Sequence, residues 1–255
     1  MSVQLSQEGM PVLYRPLNLS DLTNGTGNVV DHTLVALQKL NAGYYFNPPN
    51  YPYRTAPVRI PTLSEALKAI PSTIPIILDL KAAIPAQVLV DAVVEVIKAE
   101  EAIARVYIYS TQNEHFDALQ RYPDIRRFES RDNTRTHLIQ WLFTCSQNNV
   151  LPNDGAWLGI ELNRTLTVSE NFLLGKGESL FPSVRLWNLE VISWIKVNRP
   201  NVQIFIFGIE TYEDYQEAKR IGADAIMTDS PSEAKKWHLR SDQPEERQGK
   251  HTFSP

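Results

Sequence analysis

Apolar and polar residues fall in blocks along the chain, and the length and period of each block separate strand from helix. Two short apolar runs, "SVQL" and "PVLYR", flank Gln7-Glu8-Gly9 and predict a hairpin at the start. Residues 17–59 carry much of the Gly, Pro and Asn and enclose one helical run, "TLVALQKL", which stops near Gly43. That stretch reads as a long excursion from a sheet. From Pro61 the rhythm becomes regular. Helical "PTLSEALKAI", "VLVDAVVEVIKAEEA", "NEHFDALQRY" and "THLIQWLFTCSQ" alternate with strand-like "IPIILDLKA", "RVYIYST" and "DIRRFES". The alternation continues through strand "AWLGIEL", helix "VRLWNLEVISWIKVNR", strand "VQIFIFGIE", helix "YEDYQEAKRIG", strand "ADAIMTDSP" and a short last helix.

Strand–helix repetition of this kind requires a parallel sheet with helices outside it. The strands lack clean alternation, as strands covered on both faces do. So many repeats in 255 residues predict an α/β fold, a (β/α)8 TIM barrel, over residues 1–240, followed by a polar tail, 241–255.

Composition narrows the function classes. Hydrophobic residues make up 43% and charged residues 21%, which suits a globular chain with a sizeable core. The net charge is −4 with Lys and Arg scattered, so no nucleic-acid surface is expected. No stretch reaches the roughly 18 apolar residues of a membrane span. Cys145, the one cysteine, excludes an internal disulfide and a cysteine-built metal site. It falls in an apolar helical pattern and is expected to be a buried structural thiol.

Ligands of parallel α/β folds bind at the carboxyl ends of strands. Several strands here end in polar or charged groups: Arg15, Asp79 with Lys81, Ser110-Thr111, Glu129, Glu161, Glu210 and Thr228-Asp229. Carboxylates gathered with Lys and Arg would suit a divalent metal held together with an anionic, phosphorylated ligand. Strands also end at the surface, where charge needs no function. Asp79 and Lys81, at i and i+2, point to the same side of their strand. They read equally as a metal ligand beside a phosphate contact, or as a plain ion pair.

The run "VQLSQEGMPVLYRPLNLSDLTNGTGNVVDHTLVALQKLNAGYYF", followed by "IPTLSEAL", "IPIILDLK" and a closing "VQIFIFGIETYEDYQEAKRIGADAIMTDSP", resembles the glycerophosphodiester phosphodiesterase family. The resemblance implies a barrel that hydrolyses a glycerophosphodiester to an alcohol and glycerol 3-phosphate with a divalent cation, Ca²⁺ or Mg²⁺. It implies Asp79 as a metal ligand and Lys81 as a phosphate contact, from the family's Glu-x-Lys. Thr228, Asp229 and Pro231 match the family's closing motif, and Phe207 stands where the family has a Trp.

Other family positions differ. The His-Arg-Gly motif is absent, and Ser2 stands where the Asp of a Glu-x-Asp pair would be. Arg15-Pro16 replaces a His-Asp. A permanently charged guanidinium is a poor proton-transfer group, but it can hold a phosphate oxygen; alternatively, Arg15 merely ends its strand. Glu161 is a further candidate at the barrel mouth, or else a cap or ion-pair partner. A barrel without its first strand leaves unpaired edges, so the expectation is a start truncated ahead of Met1. The 255 residues alone are expected to be nearly inactive. The alternative is a family-derived protein that binds a phosphorylated ligand without turnover. Trp187 and Trp194, seven residues apart, are expected on the core side of one helix.

Overall fold

A computed structural model describes residues 1–81, 84–144, 151–173 and 175–241. The chain packs as two compact units, residues 1–132 and 133–255. Cys145 and residues 242–255 of the expected tail lie outside the described residues.

The first unit is built on a five-stranded sheet. Strand β1 (Ser2–Leu5) and β2 (Pro11–Leu13) form the expected antiparallel hairpin, with Val3 opposite Leu13. Gly9 turns the chain at φ +85°, a left-handed backbone that a Cβ would strain. Helix α1 (Leu34–Gln38) lies within the excursion, and α2 (Leu63–Ala69) follows it. Then come β3 (Ile76–Leu80), α3 (Ala86–Ala99), β4 (Val106–Tyr109), α4 (Asn113–Leu119) and β5 (Arg126–Arg127). The strand order is β2-β1-β3-β4-β5, and every neighbour pair except β1–β2 is parallel.

Alternation along the strands divides this sheet into two faces. Val3, Leu78, Leu80 and Ile108 are buried in one core with Leu63 and Leu67 of α2, Val90, Val93 and Ile97 of α3, and Leu119 of α4. Ser2, Gln4, Asp79 and Tyr109 alternate with them onto the other face. Helix α2 opens with a capping box: Thr62 accepts from the Glu65 N–H, and Glu65 accepts from the Thr62 N–H at 2.9 Å. The far end of α2 is held by the Arg105 guanidinium, which donates to the carbonyls of Leu67, Ile70 and Pro71.

The excursion has its own small core. Val12, Tyr14, Leu19, Val29, Leu37 and Ile60 are buried together. It returns to the strand it left, with the Leu13 N–H donating to the Pro61 carbonyl at 2.9 Å.

Helix α5 (Arg131–Thr144) leads into the second unit. That unit contains β6 (Trp157–Glu161), β7 (Asn163–Phe172), β8 (Gly175–Arg185), α6 (Leu189–Asn198), β9 (Gln203–Phe207), α7 (Tyr212–Ile221), β10 (Ala225–Ile226) and α8 (Pro231–Ser241). Strands β10-β9-β6 form a parallel sheet, while β7 and β8 pair only with each other. The core is aliphatic: Leu158, Ile160, Ile204 and Ile206 of the strands meet Val191, Ile192 and Ile195 of α6 and Ile221 of α7.

Two readings of this region change. The β7–β8 hairpin was not expected, and its last residues, Val184 and Arg185, begin the run that reads as helix in the sequence. Trp187 is buried as expected, with its Nε1–H donating to the Ile160 carbonyl at 3.2 Å. It precedes the N-cap Asn188, however, so it does not share the helix of Trp194.

Candidate active site

The carboxyl ends of β3 and β4, with β1 alongside, bring several chemistry-bearing residues together in the first unit. Ser2 is opposite Asp79 across the β1–β3 pair, and Asp79 is opposite Tyr109 across β3–β4. The Asp79 N–H donates to the Met1 carbonyl and the Lys81 N–H to the Val3 carbonyl, which holds this end of β3 to β1. Asp79 and Lys81 meet as an ion pair, Nζ to Oδ2 at 3.0 Å, with each side chain about a quarter exposed (25% and 28%). Oδ1 of Asp79 is buried and has no hydrogen-bond partner among the described residues.

Lys81 also lines a small, open hollow, with Gln4, Leu5, Leu17, Asn28 and Val30. Gln4 is buried and fixed, donating from Nε2 to the carbonyls of Tyr14 (2.8 Å) and Pro16 (2.6 Å). These bonds tie the bend holding Arg15 to β1. Arg15 itself is exposed, two residues after β2.

Beyond β4 the strand-end candidate Ser110 has a partner that the sequence does not announce, His115. Ser110 and His115 are fully buried, with Ser110 Oγ 2.7 Å from His115 Nδ1. Ser110 Oγ also accepts from the Gln112 N–H at 3.0 Å. His115 occupies a buried position of α4 together with Ala118 and Leu119, the i, i+3, i+4 stripe that normally carries apolar side chains. Burial pushes its imidazole below the ordinary histidine range; the carboxylates of Glu114 and Asp79 act against this, and Lys81 acts with it. Neutral at physiological pH, it carries no cation for phosphate. Ser110, buried and accepting a backbone N–H, is placed to hold the turn rather than to attack a substrate.

Glu161 ends β6 in the second unit, where it pairs with Arg164 at 3.5 Å. Gly208, at φ +69°, passes beside it; a Cβ there would lie 3.9 Å from Glu161 Cγ. Phe207, opposite Glu161 in β9, is buried.

Toward a divalent cation the donor set is thin. Asp79 supplies one carboxylate, already engaged with Lys81, and among the described residues no three His, Cys, Asp or Glu side chains gather where they could hold an ion. A Ca²⁺ or Mg²⁺ site needs more oxygen ligands than this. The described residues do not fit such an ion.

Parallel strands, helices on the sheet's far face and an acid–base pair at the strand ends define an α/β protein with a candidate anion site. The chain belongs to the glycerophosphoryl diester phosphodiesterase family, which it matches over residues 1–233. It is 39% identical over 243 residues to the uncharacterized protein Rv2277c of Mycobacterium tuberculosis, covering 93% of this chain and 78% of that one. The crystal structure of that protein's glycerophosphoryl diester phosphodiesterase domain superposes with a TM-score of 0.86 at 37% identity, over 93% of this chain and 87% of that one. The fold class is therefore that family's α/β barrel. An Oleispira antarctica phosphodiesterase, solved in complex with the product sn-glycerol-3-phosphate, shares the fold at 20% identity and a TM-score of 0.64, over 93% of this chain and 83% of that one.

Proposed function

We propose that this chain carries the phosphate-binding part of a glycerophosphodiester phosphodiesterase site, at the tips of β3 and β4 with β1 alongside. The observation that supports this most directly is the Asp79–Lys81 ion pair, partly exposed where parallel strands end. Lys81 Nζ would exchange one oxyanion partner for another, leaving the carboxylate for a phosphate oxygen as the ligand arrives. Arg15, at the end of the hairpin, would add a second cation to the diester. Asp79 would orient Lys81 and offer its free oxygen to the ligand. Glu161 is assigned no part, since its pairing with Arg164 accounts for its place.

Family membership favours hydrolysis of a glycerophosphodiester to an alcohol and glycerol 3-phosphate. A second reading, binding without turnover, is favoured by two observations: the donor set is too small for a divalent ion, and the imidazole near the site is buried. The deciding experiment follows release of glycerol 3-phosphate from glycerophosphocholine by the 255-residue protein with Ca²⁺ or Mg²⁺, with and without EDTA, beside calorimetric binding of sn-glycerol 3-phosphate. Binding with turnover at background supports the second reading. Chelator-sensitive turnover establishes the hydrolase. Absence of both overturns the site.

A further inference from the structure

Gln4 is 5% exposed in the middle of β1, between the buried apolar side chains of Val3 and Leu5. A primary amide taken out of water is costly unless its hydrogen bonds are made. Both protons of its Nε2 are used: one goes to the Tyr14 carbonyl at 2.8 Å, the other to the Pro16 carbonyl at 2.6 Å. These are the carbonyls on either side of Arg15, beyond the end of β2. The hairpin's own bonding runs out there, with the Tyr14 N–H donating to the Ser2 carbonyl at 3.1 Å.

The same side chain adjoins Lys81. Val3 is opposite Leu80, and the Lys81 N–H donates to the Val3 carbonyl, so Gln4 and Lys81 are neighbours across β1 and β3. Both line the hollow. Gln4 thus touches the surroundings of one cation while it grips the backbone of the other.

The path of the bend has a separate fastening. Tyr14 is buried in the core of the excursion, and its hydroxyl bonds the Asn18 and Leu19 carbonyls and the Leu22 N–H. What the amide of Gln4 adds is orientation: it fixes the peptide planes that flank Arg15, and with them the direction in which that side chain departs. A cation fixed before the ligand arrives spares the ordering cost of fixing it on binding.

We propose that Gln4 is a positioning residue: by clamping the carbonyls of Tyr14 and Pro16 it aims Arg15 at a ligand whose phosphate lies on Lys81. This rests on the reading of Arg15 and Lys81 as the two cations of the site. Gln4 itself contributes no charge; its effect on binding passes through Arg15. If the clamp served the fold alone, its loss would weaken binding equally with or without the guanidinium.

A double-mutant cycle separates the two roles. Calorimetry with sn-glycerol 3-phosphate is run on the 255-residue protein, on Gln4→Met, on Arg15→Ala, on the two combined and on Lys81→Ala. Gln4→Met keeps the length of the side chain and removes the donor. It should weaken binding about tenfold in the wild-type background and less than about threefold once Arg15 is alanine. An equal loss in both backgrounds overturns the proposal, as does wild-type affinity in Gln4→Met or in Arg15→Ala. Lys81→Ala reports on the phosphate reading separately. If it binds like wild type while Gln4 and Arg15 remain coupled, the reading of Lys81 fails and that of Gln4 stands. No binding by the wild-type protein overturns both. Should Gln4→Met fail to fold, Gln4→Asn, a methylene too short to reach both carbonyls, replaces it in the cycle. If neither folds, ¹⁵N NMR of the wild-type protein decides. The Gln4 Nε2 and Arg15 Nε resonances are expected to move together as sn-glycerol 3-phosphate is added. A Gln4 resonance that stays fixed while that of Arg15 moves, or an Arg15 resonance that ignores the ligand, overturns it.

Discussion

Asp79 and Lys81 leave the same side of β3 and close on each other at 3.0 Å, a carboxylate and an ammonium held ready at a strand tip. The pair is open enough to exchange partners and is anchored by backbone bonds to β1. If Lys81 contacts phosphate, Lys81→Ala weakens sn-glycerol 3-phosphate binding by about 2–3 kcal/mol, the range of a charge-assisted bond. Calorimetry gives this directly. Wild-type affinity in the variant would leave the pair a structural one.

Glu65 makes stability depend on pH in the acid range. Its carboxylate accepts from Arg59 and then from the Thr62 N–H, which together hold its pKa at about 2 against an ordinary 4.5. The folded-state pKa lies below the unfolded one, so the stabilisation is complete above pH 4.5 and declines as the pH falls toward 2. Glu65→Gln should therefore be less stable than wild type in urea melts at pH 6, with the gap closing at pH 3. Because 40% of the side chain is exposed, solvent screens the Arg59 contribution and the gap stays small. A gap that widens on acidification would contradict this.

The hairpin, α2 and β3 were legible because each writes its own signal: a Gly9 turn between apolar runs, a Thr62 cap with Glu65 three residues on, and an unbroken apolar run ending in Asp79. The pair β7–β8 left no such signal. It is exposed along nearly its whole length, Leu173 completely so, and no buried face imposes alternation on residues 163–185. His115 escaped notice for the opposite reason: it sits on the buried stripe of α4, where a polar residue breaks the pattern without announcing a partner. A histidine on an apolar stripe five residues after a strand-end serine was the available clue.

Trp187 tests the second unit. Trp187→Phe keeps a ring but removes the indole donor to the Ile160 carbonyl and opens a cavity, at a cost of about 1–3 kcal/mol. Urea unfolding followed by far-UV circular dichroism measures it. A loss below about half a kcal/mol would mean the indole nitrogen contributes nothing.

Gly222 ends α7 in the left-handed region at φ +91°. A Cβ there would meet Ile192 Cγ2 at 3.6 Å, an ordinary contact, so the cost of substitution is backbone strain alone. Gly222→Ala should lose about 1 kcal/mol and Gly222→Asn less, since asparagine tolerates this conformation. Equal thermal midpoints for the two variants would contradict that ordering.

Because Leu13 and Pro61 are joined by a 2.9 Å bond, everything between them hangs from the sheet as a closed bag with a drawn neck. Its contents can grow, shrink or be rewritten over evolutionary time while the neck stays tied, since doubling a loop's length costs only about 0.6 kcal/mol in closure entropy. Divergence between relatives is expected to collect inside the bag, away from Arg15 and the residues that line the hollow with Lys81, and the strand tips to inherit their geometry undisturbed.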